Sequence, residues 1–336
     1  MGSLGVIRRL CLRTEYRFQV AFSRVLNAGE DRMTAELRAQ SYAFLSTAPP
    51  GRRERRLALV FVVGSVTPFL ALVVFAKWQL PAVPAFVAVH QGILVTLDVI
   101  TTVLLLGQYA VLRSPGLLVL GCGYAFTATI ATLHALTFPG LFAPAGLLDA
   151  GPQTTSWLYI IWHAGFPLVV MFYALAKRAP GPAQRDGAAW PILTGLAFAG
   201  LASVVTAVLA TDPAIFLPDI IEANRYTPAE GGIVFSVWAL SLLALAVLWW
   251  RRPHTLLDLW LVVTMCAWSF DIALSGMLSA ARFDLGFYAG RTYGLLASSV
   301  VLIVLLTENA MLRAKRESTS LDRTDSRFHP TIEGHP

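Results

Sequence analysis

HALTFPGLFAPAGLLDAGPQTTSWLYIIWHAGFP, residues 134–167, joins two long apolar runs through a linker broken by proline and glycine and carrying one charge, Asp149. The runs on either side, 115–136 and 155–176, are each long enough to cross roughly 30 Å of hydrocarbon as a helix. A loop rich in aromatics and prolines but poor in charge is expected at a lipid interface or over a ligand rather than in bulk water. It reads as a cap on one membrane face. The stretch also holds two of the six histidines.

Outward from it the same pattern recurs. Apolar runs of spanning length predict helices at 57–76, 85–112, 115–136, 155–176, 190–210, 231–250, 255–280 and 290–312. The 336 residues are 56% hydrophobic and 14% charged, with mean hydropathy +0.63, outside the range of ordinary soluble domains. The fold class is therefore all-α, a polytopic membrane bundle of about eight transmembrane helices. Arg52, Arg53, Arg55 and Arg56 precede the first run, and a basic cluster of that kind stays in the cytoplasm. Alternate loops then carry Arg113, Lys177, Arg178, Arg185, Arg251 and Arg252. The others carry Asp149, Asp212, Asp219, Glu222, Glu230 and Asp284 against Lys77, Arg225 and Arg282. An even span count puts both termini in the cytoplasm. The net charge of +6 is thus spent on topology and anionic lipid, and nucleic-acid binding is not expected.

Three units follow. Residues 1–50 form a basic cytoplasmic arm, either an amphipathic helix on the inner leaflet, with Phe18, Phe22, Val25 and Leu26 near helical spacing, or a loosely ordered arm ending at Pro49-Pro50. Residues 51–312 are embedded, and 313–336 form a polar cytoplasmic tail. No cleaved signal peptide is expected. Cys11, Cys122 and Cys266 lie too far apart to read as ligands or a disulfide framework, and are expected to be inert.

Ionisable groups inside a bilayer are costly enough that each is a candidate for function. His90, His134, His163 and Asp271 fall in the outer half; helical rise puts His163 about 12 Å below the surface and Asp271 at a matching depth. A ligand-sensing pocket is expected from His134, Phe138, Gln153, Trp157, His163, Asp271 and Arg291, with Tyr159 beside them. Facing histidines could instead ligate a metal or haem iron through His134 and His163, although no HxxxH spacing supports it, or simply hydrogen-bond between helices. Asp98, mid-span, could serve as a proton or ion site or as a helix-to-helix contact. Asp258 and Glu308 should pair with Arg252 or Arg313, and Trp249, Trp250 and Trp260 should anchor at an interface. No GxSxG elbow, P-loop, HExxH or carboxylate-rich loop is present, so no enzymatic activity is expected.

LSTAPP at 45–50, the Asp98 helix ending LLLGQY, the Gly123-Tyr124 helix running into HALTFPGLFAPAGLL, the segment GPQTTSWLYIIWHAGFP, and LLDLWLVVTMCAWSFDIALS followed by RFDLGFYAGRTYGLLASS together resemble the fourth type of bacterial membrane-associated sensor domain, over residues 45–312. The resemblance implies a multi-helix input module of the bacterial inner membrane, usually joined through its last helix to a histidine kinase or diguanylate cyclase. It carries over His134, Phe138, Pro139, Gly140, Gln153, Thr154, Trp157, His163, Pro167, Asp258, Asp271, Arg291 and Tyr293, without assigning a ligand. Here the sequence runs into a polar tail where an output domain would follow, so signalling is expected through a partner kinase or cyclase, with a homodimer as one option for the assembly and the cofactor unknown. The rivals are a proton- or ion-coupled transporter using Asp98 and a haem or metal redox sensor.

Overall fold

The computed structural model describes residues 44, 46–147, 150–177, 187–211, 217–222 and 225–328. The arm expected over residues 1–50 therefore lies, through residue 43, outside the described residues, as do the loop charges Asp149, Arg178, Arg185 and Asp212. The helices are α1 (Arg52–Phe75), α2 (Pro84–Leu112), α3 (Pro115–Thr137), α4 (Gly151–Ala176), α5 (Ala189–Thr211), α6 (Pro228–Trp250), α7 (Leu256–Ile272) and α8 (Leu285–Phe328). Eight of these helices are long and apolar enough to cross a membrane, one for each expected span.

Their beginnings follow local chemistry. Proline occupies the first turn of α2, α3, α4 and α6, where its missing N–H costs nothing. At α7, Thr255 Oγ1 accepts from the Asp258 N–H at 3.2 Å while Asp258 Oδ2 accepts from the Thr255 N–H at 2.8 Å, a reciprocal cap. A π-helical turn, Ala273–Met277, extends α7, and α8 runs on past the apolar span to residue 328.

Helices α2, α3, α4, α6, α7 and α8 pack in a closed ring, each against the next, and α8 closes it on α2. Helix α5 lies outside against α3 and α4, and α1 outside against α7 and α8. Burial follows that order: 72% of the most apolar window of α7 is buried against 6% for α1, so α7 is interior and α1 faces lipid. Trp260 corrects one expectation. It is buried, packed edge-on against Phe61 of α1, because its helix turns it inward, whereas Trp249 and Trp250 are exposed as interfacial anchors would be.

At the arginine-rich end, Asp258 is held by Lys177 Nζ at 2.7 Å and Tyr173 Oη at 2.9 Å, not by Arg252. The C-terminus of α4 brings Lys177 over the first turn of α7, a neighbour that sequence distance hides. Glu308 accepts from Gln108 Nε2 at 2.6 Å. The opposite end is a cap of stitched loops. Leu80 N–H donates to Phe283 O, Leu285 N–H to Trp78 O and Gly286 N–H to Ala76 O. A two-residue hairpin, β1 (Ile221–Glu222) and β2 (Arg225–Tyr226), completes it, and Tyr226 N–H donates to Ala280 O.

Candidate functional site

Inside the cap lies a cavity of about 20 Å³, room for roughly one water. Its wall is assembled from seven parts of the chain. The end of α3 supplies His134 and Phe138, α4 supplies Tyr159, β2 supplies Tyr226, and α6 supplies Glu230. The π-turn gives Ser275, the following loop Arg282, and the first turns of α8 Phe287 and Arg291.

The electrostatics are uneven. Arg291 lies 3.5 Å from the Phe287 ring centroid and 5.6 Å from that of Tyr159, and its Nη1 donates to Phe287 O at 3.1 Å. Arg282 sits 5.1 Å over the Phe138 ring and donates to Ser156 Oγ at 3.2 Å. Ring faces stabilise such cations where water is scarce. Among the described residues no carboxylate comes within ion-pair distance of Arg291. Burial lowers the Arg282 pKa from its ordinary value and raises that of the Tyr226 phenol. His134 Nδ1 lies 2.8 Å from the Gln91 side-chain amide.

One layer deeper, His163 and Asp271 are in contact, Nε2 to Oδ2 at 3.2 Å. His163 Nδ1 lies 2.8 Å from the Tyr159 carbonyl, which can only accept, so Nδ1 carries a proton. The Nε2–Oδ2 contact therefore needs a second proton, held on either atom. Ser275 Oγ lies 2.9 Å from Asp271 Oδ1 and 2.5 Å from Tyr159 Oη, so a line of hydroxyls connects this shared proton to the cavity. Trp268 stacks on His163 at 4.9 Å between ring centroids and donates to its carbonyl. Tyr159 packs on the same imidazole at 3.9 Å between ring centroids.

The expected residues are thus divided. His134, Phe138 and Arg291 line the cavity, and His163 and Asp271 underlie it. Gln153 and Trp157 do not reach it: Gln153 brackets the hairpin through Ile220 N–H, Ile221 O and Asp219 Oδ1, and Trp157 Nε1 donates to Pro218 O. They hold in place the loop that delivers Tyr226. Arg282, Tyr226, Glu230 and Ser275 were not foreseen as lining residues. Glu230 and Arg282 read from sequence as loop charges; the Thr227-to-Glu230 spacing of a helix start is the signal that could have found Glu230.

Asp98 sits elsewhere, mid-bundle between α2 and α3, and accepts from Thr127 Oγ1 at 2.7 Å. The void it shares with Tyr124 and Ser298 has no room for a water molecule. Among the described residues no three His, Cys, Asp or Glu side chains could hold a metal ion, and both ring nitrogens of His163 are engaged.

Among known proteins, the MASE4 family model, a membrane-associated sensor, integral membrane domain, matches residues 81–312. No curated protein and no solved structure matches the chain.

Proposed function

This multi-pass membrane chain belongs to the MASE4 family of membrane-associated sensor, integral membrane domains, and from that premise we propose that it detects a small polar stimulus in the cap cavity and passes the change along α8. The observation that carries this reading is the shared use of α8. Phe287 and Arg291 at its start form part of the cavity wall, and the same helix continues unbroken to Phe328. A protonation or occupancy change at Tyr159, Ser275 or the His163–Asp271 pair would alter what Arg291 and its turn pack against, and so bias the helix.

Loop charge supports a reading in which the cap faces outward from the bacterial inner membrane and the arginine-rich end faces the cytoplasm. Residues 51–312 then form the embedded sensor, and the tail from 313 meets the output partner, a histidine kinase or diguanylate cyclase. The chain contributes signal rather than chemistry. Asp98, in a space without water, supports a helix contact better than a transport site.

The test is a fusion of α8 to a diguanylate cyclase reporter, read as cyclic dinucleotide in cells. His163→Ala and Arg291→Gln should each shift basal output several-fold at unchanged membrane abundance. Wild-type output from both variants would defeat the reading.

A further inference from the structure

At the arginine-rich end a second cavity, of about 550 Å³, opens between α1, α7 and the turn joining α6 to α7. That volume falls within the ~300–1,000 Å³ of ordinary ligand sites. The cavity has two chemistries. Its depth is apolar, with Leu59 and Val62 from α1 facing Val262 and Cys266 from α7, whereas its mouth holds Arg55, Arg252 and His254.

Among the described residues no carboxylate forms an ion pair with that mouth; the ion pairs are His163–Asp271 and Lys177–Asp258. Asp258, which also borders the cavity, is committed to Lys177, Tyr173 and the Thr255 N–H. His254 Nε2 is buried with no hydrogen-bond partner among the described residues. Burial first, and then the charge of Lys177, lower the His254 pKa; Asp258 opposes them, and Arg252 and Arg55 add smaller contributions in the lowering direction. Trp249 packs on His254 at 5.5 Å between centroids and is itself exposed, as is Trp250, which marks this level as the water–lipid boundary.

The slot also has a measurable depth. From Leu256 to Cys266, α7 rises about 15 Å, half of a ~30 Å hydrocarbon core and so one leaflet. A soluble anion would satisfy the mouth and leave the slot empty, and a zwitterionic lipid would fill the slot and bring its own cation to two arginines. We propose that this cavity is a binding site for one anionic phospholipid, with its phosphate among Arg55, Arg252 and His254 and one acyl chain along Leu59 and Val62 against Val262 and Cys266. Guanidinium groups suit phosphate oxygens in geometry as well as charge. His254 Nε2 acquires its missing partner in the same step.

Native mass spectrometry of the full chain, released from nanodiscs of equal phosphatidylglycerol and phosphatidylcholine, tests this. One phosphatidylglycerol should be retained per chain with at least tenfold preference over phosphatidylcholine. The double variant Arg55→Gln/Arg252→Gln should lose the preference, and Val62→Trp, which fills the slot and keeps the charges, should lose the lipid. A thermal melt of each variant checks folding; both arginines are exposed, so the double variant should melt as wild type. Equal retention of the two lipids, retention unchanged in both variants, or displacement by inorganic phosphate alone would overturn the proposal. So would release of the chain free of lipid, which would give the slot to a protein segment or a second copy.

Discussion

Asp284 has no exposure, and both its oxygens are occupied. Oδ1 accepts from Ser279 Oγ and Phe287 N–H, and Oδ2 from the N–H groups of Ala280 and Ala281. One carboxylate therefore closes the loop after α7 and caps the first turn of α8, next to the residues that line the cavity. Loss of a cap costs about 1 kcal/mol, and each buried donor left unpaired adds about 1–3 kcal/mol. Asp284→Ala should thus lower stability by at least ~2 kcal/mol in denaturant unfolding of the detergent-solubilised protein. Asp284→Asn should recover part of it through its remaining carbonyl oxygen, and an Ala variant as stable as wild type would refute the assignment. Asp284 read from sequence only as an outer-loop charge. His134, His163, Asp271 and Arg291 were legible because an ionisable group in an apolar run stands out against its neighbours. Arg282, Tyr226 and Glu230 were not, because a charged or phenolic residue in a polar loop looks solvated until the loop folds over it.

Between elements, α8 makes a close approach to the end of α7. A Cβ on Gly290 would lie 2.6 Å from Ser275 Cβ and 2.9 Å from the Asp271 carbonyl, and one on Gly294 would lie 2.7 Å from Asp271 Oδ2. Only bare backbone fits there, and small residues at a four-residue spacing are how membrane helices pack tightly. The π-turn widens α7 at the same level and aims Ser275 back at Asp271. Gly290→Leu should push α8 off this contact at an overpacking cost of about 1–3 kcal/mol, and should fix the output of the cyclase fusion at one level while the protein still reaches the membrane. Output that still responds would show that the α7–α8 contact is not the moving part. Helix limits were close to readable, since apolar length and first-turn prolines both signal them. The hairpin was not, because two residues per strand leave no alternation to detect. The order of helices around the ring was equally hidden: Lys177 meets Asp258 across 81 residues of sequence, and no periodicity records that.

Over the whole molecule the two ends differ in kind. The cap end is closed by backbone bonds between loops and encloses a water-sized polar space; the arginine-rich end is open to lipid and carries unmatched positive charge. Between them α8 is one 44-residue helix, about 66 Å long at ~1.5 Å per residue, more than twice the ~30 Å hydrocarbon core. A rigid helix of that length delivers an angle as well as a displacement. Each residue inserted after Leu312 would turn everything beyond it by ~100°, so seven added residues restore the original heading to within ~20° and two reverse it. Cyclase fusions with seven inserted residues should therefore keep the wild-type response, and those with two should lose or invert it; equal responses from both would mean that only reach matters. Whatever docks beneath this bundle must then be in phase with it, as a gear is keyed to its shaft.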